Sequence, residues 1–274
     1  MAINSNSSTN ISFQKINSGI IFLVIAAVYV ICNLIWWQIN TPVIPTNTSA
    51  LHFLDIFSTK WFYYNAPLIT WIMKFMFSVF GQGNWDLQII IVNYIFFLIP
   101  LYFIYKIGIE LKDKETGKIA MILFALTPAV YAMSRQYGHM DYHIIAGITF
   151  NIYCLIKTDY FKNIKWTICY GISTGLGLMI KDAFLAYFFA PWLYITIQSL
   201  KNNENKSQII NIFLTILVAG LISFWHYGRD LIIKKILYEP IIETVPIFDF
   251  QNISKLTTGL WEELLAPPIF VLFI

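Results

Sequence analysis

The sequence predicts an all-α polytopic membrane protein, and three observations carry that prediction. Hydrophobic residues make up 58% of the 274 positions and charged residues only 12%, where a soluble domain has about 25% charged residues. The mean hydropathy is +0.64, so such a chain lacks the polar residues to cover its own surface in water. Apolar runs recur at lengths near the roughly 20 residues that cross about 30 Å of hydrocarbon.

Seven spans follow from these runs, at about 18–38, 87–106, 118–134, 143–157, 166–180, 183–199 and 208–227. The polar stretch 1–17 precedes the first span, which has no small-residue cleavage site after it and reads as a retained anchor. An eighth apolar run starts near Leu264 and reaches Ile274 after too few residues to cross a bilayer straight. The expectation is a transmembrane domain over 18–274 that looks incomplete at its C-terminus.

Loop charge sets the expected orientation. Ten basic residues lie in one set of short segments: Lys15, Lys106, Lys112, Lys114, Lys118, Lys157, Lys162, Lys165, Lys201 and Lys206. The opposite short loops hold only Arg135 and Lys181. The positive-inside rule then places the N-terminus in the cytoplasm and the long loops 39–86 and 228–263 outside. Within the first outer loop, Ala66-Pro67-Leu68 opens an apolar segment that ends at Phe80-Gly81. Pro at a helix start and Gly at its end predict a helix too short to span, lying at the interface or packed on the bundle. Trp36, Trp37, Trp61, Trp71 and Trp85 fit an outer aromatic belt.

A net charge of +3 spread over loops argues against a nucleic-acid surface, and the sequence has no P-loop or Rossmann glycine fingerprint. Cys32, Cys154 and Cys169 all sit in apolar runs and read as small core residues rather than a disulfide framework.

The polar residues that suggest chemistry collect on the outer side: His52 and Asp55, then Arg135, His139, Asp141 and His143, then Lys181 and Asp182, then His226, Arg229 and Asp230. Ionisable groups at membrane depth are costly and often mark function. Asp55 lies among aromatic and apolar neighbours, where desolvation favours a base or a metal ligand over a structural role. His139, Asp141 and His143 have a metal-ligand spacing if the segment is extended, and a solvated turn otherwise. Arg135, Asp230 and Lys234 or Lys235 read equally well as interfacial charges. Lys181 has a plain alternative as a snorkelling cation paired with Asp182.

Four features in this order resemble the GT-C glycosyltransferases, in the branch of dolichyl-phosphate-mannose protein mannosyltransferases, aminoarabinose transferases and RgtA/B/C/D-like transferases. Asp55 follows the first span. Pro67-Leu68 opens a loop helix ending in Phe80-Gly81. Arg135 and Asp141 flank the start of the fourth span. Gly171, Gly175 and Gly177 precede Lys181. The chain departs from that pattern at Asp55-Ile56, where the family often has Asp-Glu, and at Ala66-Pro67, where it often has Pro-Pro. The resemblance implies a GT-C-like bundle in the cell membrane and a sugar donor carried on an outward-facing polyprenyl phosphate. The acceptor is extracytoplasmic, such as lipid A, a surface glycan or a protein, and transfer inverts the anomeric carbon. Asp55 is then the general base, acting directly or through a divalent metal ion with His139, Asp141 and His143 as further candidate ligands. Lys181, Arg135 and Arg229 hold the departing phosphate, and Asp141 orients a cation or the sugar. No nucleotide cofactor is required. A lipid or solute transporter is the reading from another class, and a non-catalytic remnant a third. The near absence of charge inside the spans weighs against a transport path through the midplane.

Overall fold

A computed structural model describes residues 17–39, 68–81, 85–134, 140–181, 183–202 and 206–237. The chain divides into a unit of residues 1–229 and a unit of residues 230–274; of the second, only the helical residues 230–237 are described. Every element among the described residues is a helix. They are α1 (Ser18–Ile39), α2 (Leu68–Phe80), α3 (Trp85–Leu111), α4 (Lys114–Ala125), α5 (Pro128–Ser134), α6 (Met140–Lys157), α7 (Ile164–Leu178), α8 (Phe184–Asn202) and α9 (Lys206–Leu237).

Three of these, α1, α3 and α9, are long and apolar enough to cross a membrane by length and composition. Their sidedness supports the same conclusion. In α9, Asn211, Thr215 and Ser223 are buried while Phe213, Leu217 and Leu221 are exposed. In α1, Tyr29 and Asn33 are buried while Leu23, Val24 and Ile31 are exposed. Such helices put polar groups inward and apolar ones outward, the inverse of a water-soluble helix, and their outer faces suit lipid. The remaining elements are shorter. The 15 residues of α7 rise only about 22 Å.

One expected span is broken. The run 118–134 forms two helices, because Pro128 disfavours helical backbone at Thr127 and suits the first turn of a new helix. The C-cap of α4 is Leu126, and Thr127 O accepts the Val130 amide to start α5. At the other end of α4, Asp113 accepts the Thr116 amide at 2.8 Å. That backbone hydrogen bond holds the Asp113 carboxyl below its usual range.

Contacts fix how the helices run. The α1–α3 pair is antiparallel: Tyr105 Oη donates to Ser18 Oγ at 2.9 Å, and Tyr29 stacks on Phe97 at 3.8 Å. The pair α3–α6 is parallel, joined near one end through Asn93 and near the other by Glu110–Lys157 at 3.0 Å. Asn151 of α6 donates to Ser173 and Thr174 of α7, each at 2.8 Å. The α6–α7 turn has positive φ at Asp159, Tyr160 and Phe161. It is held by Ser199 and Gln208 donating to Tyr160 O and by Asn211 donating to Phe161 O. The α3–α4 turn, the α6–α7 turn, the end of α8 and the start of α9 therefore lie at one end of the bundle.

Glycines set two close approaches. A Cβ on Gly108 would lie 2.5 Å from Gly117 Cα, so α3 and α4 touch backbone to backbone. A Cβ on Gly175 would lie 2.7 Å from Ile222 Cβ and 3.0 Å from Ala219 O, and one on Gly171 would lie 2.9 Å from Val218 Cβ. These two small residues, one turn apart, seat α7 against α9. Gly175→Ala is therefore expected to destabilise by about 1–3 kcal/mol through overpacking. Gly220→Ala has nothing within 4 Å of its new Cβ and should be neutral or stabilising by up to about 1 kcal/mol. Thermal unfolding in one detergent compares them, and equal shifts for both would show that the seat does not bind α9.

Candidate functional site

The C-terminal end of α7 is where separate parts of the chain converge. The last carbonyls of a helix have no partner within it, and here they are taken by other elements. Leu68 N, at the start of α2, donates to Met179 O at 2.9 Å. Tyr227 Oη, from α9, donates to Leu178 O at 3.0 Å. The Lys181 amide closes on Gly177 O at 3.2 Å, and Lys181 O accepts the Phe184 amide at 3.0 Å to start α8. Phe184 is fully buried, and a Cβ on Gly177 would lie within 2.5 Å of its ring. Gly177 is required for that ring to fold back over the turn. Lys181 thus stands half-buried on a turn clamped from three sides, at a helix C-terminus where a positive charge is favoured. The sequence joined Lys181 to the Pro67-Leu68 helix only as successive features of a pattern, whereas Leu68 and Met179 are hydrogen-bonded across more than a hundred residues.

A second polar group forms around Asn93, in the first third of α3. Its Nδ2 donates to Ser134 O at 2.8 Å, its Oδ1 meets His143 Nε2 at 3.0 Å, and its backbone oxygen accepts Tyr142 Oη at 3.0 Å. Tyr142 Oη also lies 2.9 Å from Tyr29 Oη, and Phe96 meets the His143 ring edge to face at 4.7 Å. All of these polar side chains are buried. Sequence reasoning passed over Asn93, although one amide inside Ile-Ile-Ile-Val-Asn93-Tyr-Ile-Phe-Phe was a visible signal.

The other candidates divide by position. His52, Asp55, Arg135, His139 and Asp182 lie outside the described residues, as do the first outer loop before α2 and Trp61. Asp141 lies in the first turn of α6, and His226, Arg229 and Asp230 in α9. The reading of 139–143 as extended needs correction from Met140 onward, where the backbone is helical. Positions 141 and 143 are then about 200° apart around the axis and do not share a face. His143 Nε2 is committed to Asn93, so ligation through that nitrogen would break a buried hydrogen bond. Among the described residues, no three His, Cys, Asp or Glu side chains come together as a metal site. Cys32, Cys154 and Cys169 are free thiols, with Cys154 fully buried.

The profile of the dolichyl-phosphate-mannose-protein mannosyltransferase family matches residues 64–227, well over half of the chain. The chain belongs to this family. It is a membrane glycosyltransferase of the GT-C type, in a family that works with lipid-linked sugars. The matched span takes in α2, Asn93 with Ser134, Tyr142 and His143, and the Lys181 turn, and both Tyr29 and Asp55 precede it. No curated protein and no solved structure matches the chain.

Proposed function

We propose that this chain transfers a sugar from an outward-facing polyprenyl-phosphate donor to an acceptor hydroxyl on the extracytoplasmic side of the cell membrane, with inversion. The observation that carries this reading is the hydrogen bond from Leu68 N to Met179 O. It joins the start of α2 to the turn bearing Lys181, and the proposal adds the Asp55 carboxylate to the Lys181 ammonium as the acid–base group and the phosphate partner of one site.

The chemistry balances with residues of this chain. The Asp55 carboxylate takes the acceptor hydroxyl proton as the oxygen attacks the anomeric carbon. The bond from that carbon to the phosphate oxygen breaks on the opposite face. The polyprenyl phosphate leaves with the electron pair, and its charge beside hydrocarbon is offset by Lys181, assisted by Arg135 and Arg229. Asp141 orients the sugar. The proposed arrangement is a GT-C-like bundle, in which α6, α7, α8 and the broken pair α4–α5 join α1, α3 and α9 as spans and α2 packs at the outer interface.

This reading needs the N-terminus in the cytoplasm and residues 39–86 outside. Single cysteines at Ser49 and at Lys114, in a background lacking Cys32, Cys154 and Cys169, report it by labelling intact cells with an impermeant thiol reagent. Position 49 should label and position 114 should not. The reverse pattern would put Asp55 on the wrong side for an outward-facing donor.

A further inference from the structure

We propose that Tyr227 is a positioning residue for Lys181, its hydroxyl holding the turn that carries the lysine. The kinetic part of this inference rests on the transferase reading above, and the structural part on packing and hydrogen bonds alone. Along α7 and α9 the contacts follow one register. Val218 sits against Gly171, Ile222 against Gly175, and Tyr227 reaches Leu178. The numbers rise together in both helices, so the two run parallel, and each step is about one turn. The glycine seat therefore sets where α9 delivers Tyr227, which is at the last residue of α7.

The turn after α7 depends on bonds from outside it. Gly175 and Gly177 lie in the last turn of the helix and restrict the backbone least, and the terminal carbonyls have no partner within the helix. Tyr227 Oη donates to Leu178 O at 3.0 Å, Leu68 N donates to Met179 O at 2.9 Å, and the Phe184 amide donates to Lys181 O at 3.0 Å. Of these bonds, the one from Tyr227 is made by a side chain, so it is the one that a substitution removes without touching the backbone. The phenol suits the task. Its acceptor carries the negative end of the helix dipole, which strengthens donation from a neutral O–H and favours a cation such as Lys181 at the same end. Tyr227 is half-buried, with an apolar body that packs among helices and a polar tip that takes a partner at their ends.

The test uses the full chain in detergent with a polyprenyl-phosphate-linked sugar as donor. Tyr227→Phe removes one oxygen and keeps the ring, so the protein should still fold, which thermal unfolding checks. Released from α9, the turn carries Lys181 out of register with the donor phosphate. KM for the donor should rise and kcat fall, with a combined loss of about 10–10²-fold in kcat/KM, the scale of a displacement near 1 Å. KM for the acceptor should stay within about twofold. A purely structural role lowers the amount of active protein instead, so kcat would fall with both KM values unchanged, and that result would overturn the proposal. In a Lys181→Met background, Tyr227→Phe should cost no more than about twofold, because the group it positions is already gone. Equal losses in both backgrounds would also overturn it and assign the effect of Tyr227 to another group, with Arg229 on the same helix the next to change.

Hydrogen exchange provides a readout independent of turnover. The amides of Leu68, Ile180 and Lys181 bond to or lie within this turn and should exchange faster in Tyr227→Phe. Ser223→Ala is the control. It also removes a hydroxyl from α9, but one that donates within its own helix to Ala219 O, so it should change neither exchange nor kinetics. Wild-type protein inactive with every lipid-linked donor, yet with faster exchange at these amides in Tyr227→Phe, would overturn the transferase reading and leave the hold on the turn standing. Unchanged exchange in Tyr227→Phe, or equally faster exchange in Ser223→Ala, would overturn the hold itself.

Discussion

Asp55→Asn is expected to slow sugar transfer by about 10²–10⁴-fold, the usual cost of losing a general base. The substitution preserves size and hydrogen-bonding capacity and removes basicity, so folding and donor affinity should survive it. An acceptor hydroxyl is a poor nucleophile until its proton begins to leave. The sequence neighbours Phe53, Leu54, Ile56 and Phe57 carry no group that could take that proton in place of Asp55. The comparison requires equal expression and a single-turnover measurement, which separates chemistry from acceptor binding. If Asp55→Asn stays within about threefold of wild type, Asp55 is not the base, and Asp141 becomes the carboxylate to change next.

The helices were legible because apolar runs and their punctuation are local. The first span, read as 18–38, is Ser18–Ile39, and the loop helix read from Pro67-Leu68 to Phe80 is Leu68–Phe80. Where a single residue decides backbone geometry, run length misled: Pro128 divides a run that hydropathy alone joins. Long-range pairing was the larger loss. No periodicity in the sequence shows that Leu68 would cap the helix ending at Leu178, or that Asn93 would bond residues on both sides of 135–139. Those contacts depend on the rotation of each helix about its axis, which packing at Gly171, Gly175 and Gly177 settles only once the partners are known. His143 shows the same limit from the other side. Its neighbours His139 and Asp141 made a plausible ligand triplet on paper, and a helical backbone from Met140 turns 141 and 143 apart.

Lys181→Met should leave the bundle intact and impair both donor binding and turnover. The side chain of Met replaces most of the apolar stem of Lys, and the turn beneath it is fixed by backbone groups. Leu68, Gly177 and Phe184 make those bonds whatever stands at 181. What the substitution removes is the ammonium. A phosphate departing beside hydrocarbon must have its growing charge offset by a fixed positive group, and loss of one such stabilising group typically costs about 10²–10³-fold in kcat. Lys181→Arg keeps the charge but replaces a compact ammonium with a planar fork, so it should retain partial activity. A lysine that merely snorkels to the interface gives a different pattern, with Met and Arg both near wild type in donor affinity and rate. The two substitutions also separate the clamp from a packing role, because a packing role would penalise the bulkier Arg more than Met. Binding of a polyprenyl-phosphate sugar, measured alongside turnover on equally folded protein, therefore orders the outcomes. Wild type above Arg above Met supports the clamp. Met equal to wild type in both measurements rejects it and moves the role to Arg135 or Arg229.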